Sequence, residues 1–187
     1  MLAIISDLHI TDGTTGQLLP AGTMDLLCER LCDLAWRASW RPGGVYRPID
    51  RIDLVLLGDT LDLISSRRWL ASPCRPWDDP QSPAVIDTIG GIVEEILRTN
   101  VDAIRTLRNL ATESTVSLPP ATAAGQPVLE AEEIPVAVCT HYMVGDRDWP
   151  LHLAGSQYDL IRHKITHHLG LVTPYNKPFP HEAGECE

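Results

Sequence analysis

The chain has no uninterrupted apolar run near the roughly 20 residues that span a bilayer, so no transmembrane helix is expected. Met1 to Ile5 is too short for a signal-peptide core and runs into Asp7 without a basic stretch, which argues against a leader. Positive charge is scarce: 15 Lys+Arg against 25 Asp+Glu give a net charge of −10 over 187 residues. A surface that neutralises many phosphates must be basic, so neither a broad nucleic-acid face nor an anionic-membrane partner is expected. Cysteine is sparse and irregular. The five residues, Cys28, Cys32, Cys74, Cys139 and Cys186, show no CxxC spacing, which disfavours a disulfide framework and favours a reducing, cytoplasmic setting. There is one Phe against five Trp, and no repeat or low-complexity tract.

What is present fits one globular domain of the α/β class, with 44% hydrophobic residues. Leu2-Ala-Ile-Ile-Ser6 reads as a buried strand, followed by a polar, glycine-rich loop from Asp7 to Gly22. After Thr23, apolar positions 24, 27, 28, 31, 34, 35 and 38 keep a 3.6 period, predicting an amphipathic helix that Pro42-Gly43-Gly44 stops. Ile52 to Leu57 is a second strand, completing a βαβ pattern. Thr60 to about Leu70 reads as a helix or helical turn. Ser82-Pro83 opens a long helix toward Leu110, interrupted by Gly90-Gly91. Residues 117–133 read as a mobile loop, Ile134 to Val144 as a third strand, and Ser156 to Gly170 as a final helix with a serine N-cap. Pro174, Pro178 and Pro180 keep the tail extended.

Each strand ends in residues of ligand type: Asp7-x-His9, Gly58-Asp59-x-x-Asp62 and Gly145-Asp146-x-Asp148. In open α/β sheets ligands bind at the carboxyl ends of strands, so three such ends predict one convergent site. Carboxylates with an imidazole suit a divalent ion of borderline preference, Mn, Fe, Zn or Co. Extended backbone would put Asp7 and His9 on the same side, and Gly58 lets the chain turn sharply before Asp59, the best bridging ligand for two ions.

Ser6-Asp7-Leu8-His9 and Gly58-Asp59-Thr60-Leu61-Asp62 resemble the first two motifs of the calcineurin-like metallophosphoesterases, DxH and GDxxD. Gly145-Asp146-Arg147-Asp148 resembles their GNHD or GNHE motif with two departures, Asp146 for Asn and Arg147 for His. The resemblance implies a layered α/β/β/α sandwich and metal-dependent hydrolysis of phosphate mono- or diesters. It also implies two divalent metal ions, one on Asp7, His9 and Asp59 and the second on Asp59 and Asp146. Arg147 and Asp148 take the catalytic positions, Arg147 clamping phosphoryl oxygens and Asp148 orienting its neighbour, while Asp62 organises its own loop. The family's later His and GHxH motifs are not found in the 39 residues after Asp148, although His152, His163, His167, His168 and His181 are there. Residues 1–187 are therefore expected to form the N-terminal part of such a domain, with an exposed sheet edge or apolar patch. A catalytically silent fragment or metal-binding domain is the alternative.

The remaining features read as structural. His163 and His167 are expected on a solvated helix face and His141 in the core. Arg67, Arg68, Trp69, Trp77 and Trp149 are expected to pack or lie on the surface, and Gly13-Thr-Thr-Gly16 to line a pocket.

Overall fold

The computed structural model describes residues 1–20, 22–113 and 115–181; Cys186 lies outside the described residues. Strand β1 (Leu2–Ser6) leads through helix α1 (Thr23–Ala38) and the hairpin β2 (Trp40–Arg41) and β3 (Val45–Tyr46) to β4 (Arg51–Leu57). Helices α2 (Arg68–Ala71), α3 (Pro83–Thr99) and α4 (Val101–Thr112) follow. After them come β5 (Ser117–Leu118), β6 (Ile134–Pro135), β7 (Ala137–Met143), a 3-10 turn at Trp149–His152 and α5 (Ser156–Leu169). Strands β1, β4 and β7 form an all-parallel sheet in the order β1-β4-β7, an α/β architecture as the sequence leads one to expect.

The period of two along each strand decides which face is buried. Ile52, Leu54 and Leu56 of β4, with Val138, Thr140 and Tyr142 of β7, are buried in the core shared with the helices. From α3, Val85, Ile89, Ile92, Val93, Ile96 and Leu97 enter that core, each contributing about 1.5–3 kcal/mol when fully buried. The opposite face carries Leu2, Ile4, Asp53, Val55, Leu57, Cys139 and His141. Leu2 and Ile4 are 63% and 56% exposed there, which corrects the reading of β1 as a buried strand: this face of the strand is open. No second extended sheet covers this face among the described residues, since β2–β3 and β5–β6 have two residues per strand. The outer edge of β7 is covered by the C-terminal segment, which turns at residues 175–176 where the prolines lead one to expect an extended tail: Val172 N donates to Thr140 O at 2.9 Å and Val144 N to Pro180 O at 2.9 Å.

Several local expectations are corrected. Helix α1 stops at Ala38, before Pro42, with Ser39 as its C-cap and the Ser39 hydroxyl donating to Ala35 O at 2.8 Å; Gly43 and Gly44 instead make the β2–β3 turn at φ 87° and 76°. Residues 60–67 are irregular and only the short α2 is helical. The long helix runs through Gly90-Gly91 and breaks at Asn100, whose Nδ2 donates to Ile96 O at 2.9 Å and Thr11 O at 2.8 Å. Two glycines cost about 1 kcal/mol each in a helix, less than the burial of Ile89, Ile92 and Val93 around them returns. The segment 117–133 is held by β5 pairing with β6 and by an Ala121–Pro127 bridge, so what reads as one third strand is split into β6 and β7. Gly155, not Ser156, is the N-cap of α5.

Candidate metal centre

The site is built where β1 and β4 end side by side, Ser6 opposite Leu57. Pairing continues beyond the strands: His9 N donates to Asp59 O at 2.9 Å, Ile10 N to Thr60 O at 2.9 Å, and Asp62 N to Ile10 O at 3.0 Å. Between the regular ladder and this second stretch lie Asp7, His9 and Asp59, with φ of 57°, 43° and 46°. They are the only non-glycine residues with positive φ among the described residues. Left-handed backbone costs an L-residue roughly 1–2 kcal/mol, so strain is concentrated on three neighbouring residues.

These three side chains converge. One ligand atom from each of Asp7, His9 and Asp59 lies within 4.8 Å of the others, and His9 Nε2 stands 3.9 Å from Asp7 Oδ1. The route differs from the expected one, because Asp7 and His9 reach a common point through left-handed turns and not through extended backbone. Asp7 and His9 are exposed and Asp59 is half-buried, so an ion from solvent has access. No Lys or Arg side chain forms an ion pair with Asp7 or Asp59 among the described residues.

The loop after β7 closes on this point through two glycines. A Cβ on Gly145 would fall 2.7 Å from Asp59 N and 2.9 Å from the Gly58 Cα, distances no side chain tolerates. Arg147 N donates to Asp59 Oδ1 at 2.8 Å, fixing the carboxylate. The Arg147 guanidinium is exposed, and its Nη1 donates to Ser65 Oγ at 3.0 Å. Asp146 is exposed and stands outside the three-residue group. Asp62 accepts from Ser65 N at 3.0 Å, the loop-organising role expected of it.

Asp148 is 0% exposed and touches no ligand position, so it positions other groups. Its Oδ2 accepts from Thr60 N at 3.0 Å, Leu61 N at 3.4 Å and the Tyr142 hydroxyl at 2.6 Å, and its Oδ1 from Gly145 N at 2.6 Å. Burial pushes the Asp148 carboxyl above its ordinary pKa, while the hydrogen bonds from Tyr142 and the three amides pull the other way. Tyr142 is pushed well above the ordinary tyrosine range, first by burial and then by the adjacent carboxylate.

Other candidates take structural places. His141 is half-buried and hydrogen-bonded to Asp53 at 3.1 Å on the open sheet face, which corrects its expected core position. His152 bonds Phe179 O at 2.8 Å and stacks on His181. His163, His167 and His168 lie exposed on α5, as expected of a solvated face. Trp69 is buried with its Nε1 donating to Leu63 O at 2.8 Å, Trp77 is exposed, and Arg68 pairs with Glu95. The Gly13–Gly16 turn is pinned where Asp12 accepts from Thr14 N at 3.0 Å and Thr15 Oγ1 donates to Ser65 O at 2.7 Å. Tyr142, Ser65 and Asn100 carry no motif that would have marked them.

No family model, curated protein or solved structure matches this chain. No helix among the described residues is long and apolar enough to cross a membrane.

Proposed function

We propose that the chain is a metal-dependent phosphoesterase that hydrolyses phosphate mono- or diesters, with Asp7, His9 and Asp59 holding a divalent ion. The observation that carries this reading is a coincidence: the three strained non-glycine residues are the same three whose ligand atoms converge. Strain of this kind persists where the surrounding structure over-determines it, commonly at functional sites. Two carboxylates and an imidazole, free of competing cationic side chains, fit Mn, Fe, Zn or Co. The family resemblance assigns Asp146 to a second ion shared through Asp59. In the fuller form of this reading, β1-β4-β7 is the first sheet of a layered α/β/β/α sandwich in a cytoplasmic enzyme.

A divalent ion bound there supplies Lewis-acid activation of water and neutralises phosphoryl charge. The chain's own residues hold and orient. Arg147 presents a planar set of donors to phosphoryl oxygens, and its backbone amide keeps Asp59 in place. An arginine does not release a proton near neutral pH, so Arg147 cannot protonate the leaving group. Esters with acidic leaving groups are the favoured substrates for that reason.

A metal-binding domain without turnover is the second reading, favoured by the position of Asp146 outside the three-residue group. The test is Mn-stimulated hydrolysis of p-nitrophenyl phosphate and bis(p-nitrophenyl) phosphate by the chain beside Asp59→Ala. Equal rates overturn the enzyme reading, and elemental analysis then separates a metal-binding domain from an empty one.

A further inference from the structure

Ser65 is where three loops meet. Its carbonyl accepts from Thr15 Oγ1 at 2.7 Å, in the loop after β1. Its amide donates to Asp62 Oδ1 at 3.0 Å, within its own loop after β4. Its hydroxyl accepts from Arg147 Nη1 at 3.0 Å, from the loop after β7. The guanidinium has five N–H donors and makes no other side-chain hydrogen bond or ion pair among the described residues. Arg147 is exposed and its backbone is tied to Asp59, a member of the convergent group.

A long, exposed side chain loses rotamer freedom when it grips a ligand, and a contact that restricts it beforehand lowers that cost. We propose that Ser65 is a positioning residue for anion capture: its hydroxyl holds one arm of the Arg147 guanidinium so that the remaining donors meet the oxygens of a phosphate group. The proposal deepens the phosphoesterase reading and rests on it for the substrate class. Because Ser65 is fixed by its backbone N–H and C=O, replacing the side chain removes one hydrogen bond and leaves both loop ties in place. Ser65→Ala is therefore a clean deletion.

The test titrates inorganic phosphate into the full chain by calorimetry, with and without saturating Mn2+, for the native protein, Ser65→Ala, Ser65→Thr, Arg147→Ala and the double variant. Mn2+ affinity is measured separately by electron paramagnetic resonance. Ser65→Ala is expected to weaken phosphate about 3- to 10-fold, the cost of ordering one released side chain at the moment of binding, with Mn2+ affinity unchanged. Ser65→Thr restores binding, and Ser65→Ala has no further effect once Arg147 is Ala. In turnover of p-nitrophenyl phosphate the loss appears chiefly in KM. Unchanged phosphate affinity in Ser65→Ala, or an equal loss in the Arg147→Ala background, overturns the positioning role. Failure of the native chain to bind Mn2+ overturns the metal reading instead, and the metal-free phosphate titrations still decide the role of Ser65.

Discussion

The Tyr142 hydroxyl donates to Asp148 Oδ2 at 2.6 Å inside the core, and through that carboxylate the end of β7 is tied to the loop that carries Asp59. Four donors converge on one buried carboxylate: Tyr142, Thr60 N, Leu61 N and Gly145 N. Asp148→Ala orphans all four and is expected to cost on the order of 3–5 kcal/mol, whereas Tyr142→Phe costs about 1 kcal/mol. Urea unfolding of the two variants checks the order. A smaller loss for Asp148→Ala than for Tyr142→Phe would show that the carboxylate is not the hub.

Asp7→Gly separates stability from binding. The native residue sits at φ 57° with its side chain largely exposed, so glycine relieves left-handed strain and breaks no buried contact. Thermal or chemical unfolding is expected to be unchanged, or stabilised by about 0.5–1 kcal/mol. Mn2+ affinity is expected to fall at least about 10-fold with the loss of one of three ligands, a shift of roughly 1.4 kcal/mol. Retained affinity would remove Asp7 from the site.

Gly145→Ala pushes a methyl group into the Asp59 backbone and carboxylate. Overpacking of this kind costs about 1–3 kcal/mol. Because the atoms that must move belong to Asp59, metal affinity is expected to drop along with stability. Gly90→Ala, a position with no atom within reach of the added methyl, serves as the matched control and is expected to stabilise α3.

The fold was readable from the sequence wherever the pattern was local. The apolar period of α1, the Ser82-Pro83 start of α3 and the apolar run of β4 are decided by neighbours a few residues away, and the structure follows them. The Asn100 break was not readable in full, because one of the two bonds its side chain makes reaches Thr11, 89 residues distant. Asp7, His9 and Asp59 were legible within motifs, yet their left-handed conformations were not, since these arise from pairing between two loops brought together by the sheet. Ser65 and Tyr142 act through contacts with Arg147 and Asp148 that no spacing in the sequence announces.

Stability against acid will report on the open sheet face. The Asp53 carboxyl is held below the usual carboxylate range, first by the hydrogen bond from Arg51 and then by that from His141. A depressed folded pKa gives stability that is present above the unfolded value, about 3.9, and lost as pH falls through the folded value. The Asp53 part of acid destabilisation is therefore expected below about pH 4. Asp53→Asn is expected to flatten the pH dependence there by well under about 1 kcal/mol, since the pair is partly exposed. An identical pH profile for the variant would show that the ion pair contributes nothing.

The pairing of His9 with Asp59 and of Ile10 with Thr60 beyond the strand ends has a thermodynamic consequence. Asp7, His9 and Asp59 are anchored upstream by the ladder and downstream by a second set of backbone bonds, so the segment has no hinge. On the proposed metal reading, an ion would meet ligands whose backbone is already fixed. Its heat of binding would come from exchanging water for carboxylate and imidazole, with almost no heat-capacity change from ordering the chain.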